Sequence, residues 1–207
     1  MRSKIVLIRH GITPGNLKRL YYGSTDLPLA FEGIEGIKEN VKKGIYPDSP
    51  EAEYYTSGML RSNQTFELIY GDKPREAINN FRELSFGEFE MRSYQELHDR
   101  PEYQDWCNTY EDGTPPPGGE SIKDFNIRVL AGFQQLLSKH ELLMLKLRNQ
   151  QKEAMSICVC HGGVICSVMN CLWPDKVEKN FYEWIPDPGH GYVLKMEDGS
   201  IVDYEKI

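Results

Sequence analysis

The sequence predicts a three-layer α/β/α sandwich around a largely parallel central sheet. Three observations carry this. Short apolar runs alternate with stretches of helical period along the 207 residues, the order expected of βα units. Two runs, "KIVLIR" (4–9) and "MSICVC" (155–160), are apolar at successive positions, as a strand buried on both faces requires. Both runs also end on chemistry: Arg9-His10-Gly11 after the first, His161-Gly162-Gly163 after the second. In open α/β sheets, ligands sit just beyond the carboxyl ends of strands.

The elements follow in order. "KIVLIR" is the first strand. Ala30 to Val41 reads as a helix weakened by two glycines, with Gly44 as its stop. "AEYYTS" (52–57) is a second strand, and "RSNQTFELIYG" (61–71) a helix ending at Gly71. "EAINNF" (76–81) is expected to be a third, weaker strand. Residues 93–111 read as mainly helical around Pro101, and "TPPPGGES" (114–121) as a rigid loop whose Ser121 caps the next helix. That helix spans roughly 121–150, with Phe125, Val129, Phe133, Leu136, Leu137, Leu143 and Leu147 near a 3.6-residue period. After "MSICVC", residues 162–173 form a helix. "GYVLKM" and "SIVDYE" close the chain as a hairpin with Asp198-Gly199 at the turn. One domain spanning 1–207 is the expectation from length.

Composition narrows the function. Apolar residues make up 40% and charged residues 27%, enough for a sizeable core. A net charge of −7 argues against a nucleic-acid partner, which needs a basic face. A small anion is compatible with it, because a local cluster of cations can oppose the net charge. The start of the sequence shows no signal-peptide pattern, no run is long enough to span a bilayer, and the five cysteines show no disulfide spacing. A cytoplasmic location is expected.

Five residues fall at strand ends: Arg9 and His10, Arg61, Glu83 and His161. If the strands are parallel neighbours, all five meet at one edge. Two arginines, two histidines and a carboxylate suit the binding and transfer of a phosphoryl group. The guanidinium fork pairs phosphate oxygens, and a neutral imidazole is a nucleophile. Helix N-termini near Gly11 and Gly162 are expected to add N–H donors, and a carboxyl group to protonate a leaving oxygen.

The segment "LIRHGITPGN" resembles the signature of the histidine phosphatase superfamily, the phosphoglycerate mutase-like family. "GSTDLPLAFEG" (23–33), "SGMLRSNQT" (57–65), "ELSFGEFE" (83–90), "PPGGES" (116–121) and "CHGGVI" (160–165) are also similar to family segments, in family order. The resemblance implies that fold, with His10 as the nucleophile that forms a phosphohistidine. It implies Arg9, Arg61 and His161 as ligands of the transferred group, with help from Asn16. Glu83 becomes the proton donor and then the activator of water. Tyr22, Gly23 and Gly162 complete the expected substrate-binding set. No metal or organic cofactor is implied, and the expected partner is a small phosphorylated substrate. The sequence departs from the family pattern at Ala30 (threonine), Met59 (leucine), Ser62 (alanine), Met91 (glycine) and Cys166 (arginine).

Other residues read more plainly. Cys158, Cys160, His161 and Cys166 match no zinc spacing. His98 and His140 are expected at the surface, and His190 is a loop residue that either lines the pocket or is an ordinary exposed histidine. Tyr21 and Tyr22 either cover a leaving group or pack. Glu88 and Glu90, if they face inward, disfavour extra negative charge on the substrate. Between Glu83 and His161 no two basic residues are adjacent, so the arginine pair expected of a mutase is missing. The reading is therefore a phosphomonoesterase, with a cofactor-dependent phosphoglycerate mutase and a non-catalytic phosphate sensor as alternatives.

Overall fold

The run Arg2–Arg9 forms β1, with Ile5, Val6, Leu7 and Ile8 all fully buried. Ile5 and Leu7 enter one core and Val6 and Ile8 the other, as a two-residue period dictates for a strand covered on both sides. The computed structural model describes residues 2–110, 112–150, 152–176 and 181–207, with only the backbone at 181 and 182. Around β1 it arranges α1 (Pro14–Leu17), β2 (Leu20–Tyr21), α2 (Phe31–Lys43), β3 (Glu53–Thr56), α3 (Leu60–Tyr70) and β4 (Glu76–Ala77). There follow β5 (Arg92–Ser93), α4 (Tyr94–Leu97), α5 (Pro101–Thr109), α6 (Ile122–Leu147), β6 (Ala154–Cys160), α7 (Gly162–Leu172), β7 (Gly191–Glu197) and β8 (Ser200–Lys206).

Six strands form the main sheet in the order β4-β3-β6-β1-β7-β8. The first four are mutually parallel, and β7 and β8 add an antiparallel hairpin. This is the expected α/β architecture, with α6 and α7 packed on one face and α3 on the other. Register sets up the site. Arg9 pairs with Cys160 and Thr56 with Val159, so the residues that follow, His10, His161 and Ser57, leave the sheet side by side. The N–H of His10 donates to Cys160 O at 3.0 Å, and that of Ser57 to Val159 O at 3.2 Å.

Local signals account for the boundaries. Gly44 ends α2 with φ 68°, a conformation that glycine adopts without a Cβ penalty. Ser121 Oγ accepts from the N–H of Asp124 at the start of α6. Asp198 and Gly199 turn the β7–β8 hairpin with φ 49° and 84°, as a type I′ turn needs.

Two expectations are corrected. In "EAINNF" only Glu76 and Ala77 pair with β3; Asn79–Phe81 is a 3₁₀ turn. Ile78 and Phe81 are both fully buried, and the turn is what aims both into one core. His140 is not a surface residue. It is fully buried on α6, where its Nδ1 meets Ser156 Oγ of β6 at 2.9 Å. His98 is exposed, as expected, and His190 is half-buried.

Candidate active site

Arg9, His10, Arg61, Glu83 and His161 meet beyond the carboxyl edge of β3, β6 and β1. The His10 and His161 rings lie 5.2 Å apart, edge to face. Arg61 projects from the first turn of α3 and is fully buried. Its Nη2 donates to Gly23 O at 2.8 Å and its Nη1 to Thr25 O at 3.1 Å. Tyr22 presents its ring 5.2 Å from the guanidinium carbon. The Nη1 of Arg9 donates to Pro186 O at 2.7 Å. Both guanidinium groups are therefore gripped from one end by backbone carbonyls.

What remains ungripped defines the site. Arg9 Nε, Arg61 Nε and His161 Nδ1 are buried without a hydrogen-bond partner. Leaving buried polar atoms unpaired costs about 1–3 kcal/mol each, so the two guanidinium N–H groups mark a place where an anion belongs, with the His161 nitrogen beside them. Close packing supports it. A Cβ on Gly162 would lie 3.3 Å from Arg9 Nε.

Hydrogen bonds assign the proton on His10. Its Nδ1 lies 2.7 Å from the carbonyl oxygen of Gly11. A carbonyl only accepts, so Nδ1 carries the hydrogen and Nε2 keeps its lone pair. Burial, then the nearby Arg61 and Arg9, hold the ring well below the ordinary imidazole range. His10 is thus neutral at physiological pH, with one bare nitrogen. The N–H of Gly11 donates to Thr65 Oγ1 at 2.9 Å, so it is not the anion donor expected from sequence. It fixes the backbone beside His10 instead.

Glu83 follows the 3₁₀ turn. Its Oε2 accepts from the N–H of Gly163 at 3.0 Å, in the first turn of α7, and its Oε1 accepts from Leu84 N–H at 3.0 Å. A Cβ at 163 would meet Glu83 Oε1 at 2.5 Å, so glycine there is what lets the carboxylate lie against the Gly163 N–H. Asn16 uses its Oδ1 to accept from Thr13 N–H, Thr13 Oγ1 and Tyr22 Oη. That leaves its NH₂ as the group available to a ligand. Tyr22 is therefore fixed by polar contacts and the Arg61 stack. Tyr21 instead packs among Phe86, Tyr103 and Trp106.

Gly23 sits where a Cβ would come within 1.7 Å of Leu84 O. Its N–H donates to Glu90, so it serves the site through its carbonyl on Arg61 rather than as a donor to substrate. Glu90 does not face a substrate. Its two oxygens accept from the N–H groups of Gly23, Ser24, Thr25 and Phe86 and from the Ser24 and Thr25 hydroxyls. Burial raises its pKa, but these bonds, led by Thr25, outweigh that and hold it below the usual carboxylate value. Glu88 is exposed at the surface.

Beside Glu83 opens a cavity of about 220 Å³. Its walls include Leu20, Leu84, Phe86, Ile122, Phe125 and Ile185, and no Lys or Arg is among the described residues lining it. Cys166 lies in the core with Cys158 and Cys160, its thiol pushed up to about 12 by burial. Among the described residues, no group of three or more His, Cys, Asp or Glu side chains is placed to hold a metal ion. No helix among them is long and apolar enough to cross a membrane.

Several positioning residues were not singled out from sequence: Ser57, whose Oγ meets His161 Nε2 at 2.7 Å; Thr65; Gly163; and Pro186. Ser57 and Thr65 bound the "SGMLRSNQT" segment, and their spacing was the one signal available.

Comparison with known proteins identifies the family. The family model described as the histidine phosphatase superfamily (branch 1) matches residues 5–202. The chain is 29% identical over 166 residues to an adenosylcobalamin/alpha-ribazole phosphatase of Escherichia coli strain K12, covering 78% of this chain and 75% of that protein. It is 30% identical over 190 residues to a 2,3-bisphosphoglycerate-dependent phosphoglycerate mutase of Bradyrhizobium diazoefficiens, covering 84% of each. Among solved structures, it is similar to the alpha-ribazole phosphatase of Shigella flexneri. There the TM-score is 0.72 at 25% identity, over 95% of this chain and 92% of that one.

Proposed function

Because the chain belongs to branch 1 of the histidine phosphatase superfamily, we propose that it is a phosphomonoesterase acting through a phosphohistidine. Its substrate is a small phosphate ester with an uncharged, largely apolar leaving group. The observation that carries this is the cavity beside Glu83, largely apolar along its walls, with Asn16 and Tyr22 among its polar groups and no cation among the described residues lining it.

The chemistry runs in two displacements. His10 Nε2 attacks phosphorus in line, forming a P–N bond as the ester P–O bond breaks. Arg9, Arg61 and His161 hold the three equatorial oxygens, and the fixed charge of the two arginines matters most because phosphoryl transfer depends on positioning and neutralisation. Glu83 passes a proton to the departing alkoxide. It then takes one from water, whose oxygen attacks the phosphohistidine; inorganic phosphate leaves and His10 is restored.

A mutase must hold a substrate carboxylate while it shields the phosphohistidine from water. Among the described residues, the cavity's lining offers that carboxylate no Lys or Arg to pair with, and an unpaired buried charge is costly. A sensor reading needs a missing nucleophile or acid, and neither is missing. The test is incubation with p-nitrophenyl phosphate, and separately with 3-phosphoglycerate plus 2,3-bisphosphoglycerate. Phosphate release from the first, without isomerisation of the second, supports the proposal. Isomerisation without release overturns it.

A further inference from the structure

The hydroxyl of Ser62 touches no clamp residue, yet it decides where His161 keeps its proton. Ser62 Oγ donates to the carbonyl of Met59 at 2.8 Å. Ser57 Oγ lies 2.8 Å from Ser62 Oγ and 2.7 Å from His161 Nε2. A hydroxyl has one proton and a carbonyl has none. With the Ser62 proton on Met59 O, the Ser57 proton must point to Ser62. Ser57 then shows only lone pairs to its other neighbours, His161 Nε2 and the N–H of Met59 at 3.4 Å. His161 therefore carries its hydrogen on Nε2. Its Nδ1, buried and unpartnered, is a bare lone pair in the same hole as two N–H donors.

A phosphoryl oxygen is also an acceptor, so a bare Nδ1 repels it. We infer that the site binds the phosphoryl group together with one proton, taken up from solvent onto His161 Nδ1, and that Ser62, through Ser57, imposes this coupling. This rests on the reading of the hole as a phosphoryl site. Reversing the hydroxyl chain would supply a neutral Nδ1–H only by giving up the Ser62–Met59 bond.

The charged and titratable groups around His161 come from every neighbouring element. They are Arg61 on α3, His10 and Arg9 at the end of β1, Arg82 after the 3₁₀ turn, and Glu83 on the N–H of Gly163. Burial first, then Arg61, His10, Arg9 and Arg82, hold His161 well below the ordinary imidazole value, so in the empty site it is neutral. His10 also has a bare nitrogen toward the hole, and the experiment must tell the two rings apart.

Sulfate is the probe, because it stays a dianion across the working pH range. Calorimetry of sulfate binding in buffers of different ionisation enthalpy should show uptake of about one proton, and Kd should rise about tenfold per unit between about pH 7 and 9. Ser62→Ala, which frees the Ser57 proton to face Nε2, should flatten that slope; Ser62→Thr, which keeps a hydroxyl, should retain it. Nitrogen NMR should show His161 protonated on Nε2 alone without sulfate, and on both nitrogens with it. Binding that is independent of pH in the wild type, or a proton that appears on His10, overturns the inference and leaves the phosphoryl site standing. No sulfate binding at any pH overturns the phosphoryl site and the inference with it.

Discussion

Glu90→Gln touches no proposed substrate contact, yet it should disable the site. The Glu90 carboxylate gathers four backbone N–H groups and two hydroxyls, and so holds residues 23–25 in place. That loop supplies the two carbonyls, Gly23 O and Thr25 O, from which the Arg61 guanidinium hangs. An amide has one acceptor oxygen. If its NH₂ takes the Oε2 place, the Thr25 N–H loses its partner; in the Oε1 place, the Ser24 and Phe86 N–H groups do. One to two orphaned donors and the lost charge amount to about 3 kcal/mol of stability. Freed by even 1 Å, the guanidinium should cost about 100-fold in kcat/KM. Initial rates on p-nitrophenyl phosphate and urea unfolding of the same preparations measure both. A Glu90→Gln protein with wild-type kcat/KM would refute the chain of support from Glu90 through the loop to Arg61.

Other predictions concern pH, strain and the acid. Burial pushes His140 down to about 4 from 6.5, so its stabilising effect is complete above about 6.5 and lost as pH falls toward 4, on the order of 3 kcal/mol. His140→Gln should reduce this acid loss, read as the drop in urea midpoint from pH 7 to 4.5; equal drops in both proteins would contradict the buried, neutral ring. Met91 is held at φ 61° and is 41% exposed, so Met91→Gly should stabilise by about 0.5–1 kcal/mol in the same assay. Gly163→Ala puts a Cβ 2.5 Å from Glu83 Oε1 and so displaces the Glu83 carboxylate. It should slow alkyl phosphates at least 10-fold more than p-nitrophenyl phosphate, whose leaving group needs little protonation; equal slowing would argue against Glu83 as the acid.

Most of the scaffold was legible because its signals are local. The uninterrupted apolar runs of β1 and β6 required cover on both faces, and Asp198-Gly199 required the hairpin. Those same strand ends brought Arg9, His10 and His161 together once register was fixed. What failed was what depends on contacts distant in sequence. "EAINNF" alternates well enough for a strand, but only the packing of Ile78 and Phe81 shows that the chain turns after Ala77. His140 falls on the buried stripe of α6, between Leu136 and Leu143, yet nothing nearby in sequence announces Ser156 as its partner. Glu90 looked like one of several acidic loop residues; its role appears only when the 23–25 loop is folded over it.

The central claim is that His10 Nε2 becomes phosphorylated. Glu83→Gln should slow discharge of the intermediate more than its formation from an ester with a good leaving group. Rapid acid-free quenching of that variant with ³²P-labelled p-nitrophenyl phosphate should trap label that is acid-labile and base-stable, and mass spectrometry should place it on the peptide containing His10. Label on another residue, or steady turnover in a His10→Ala protein, would contradict the account.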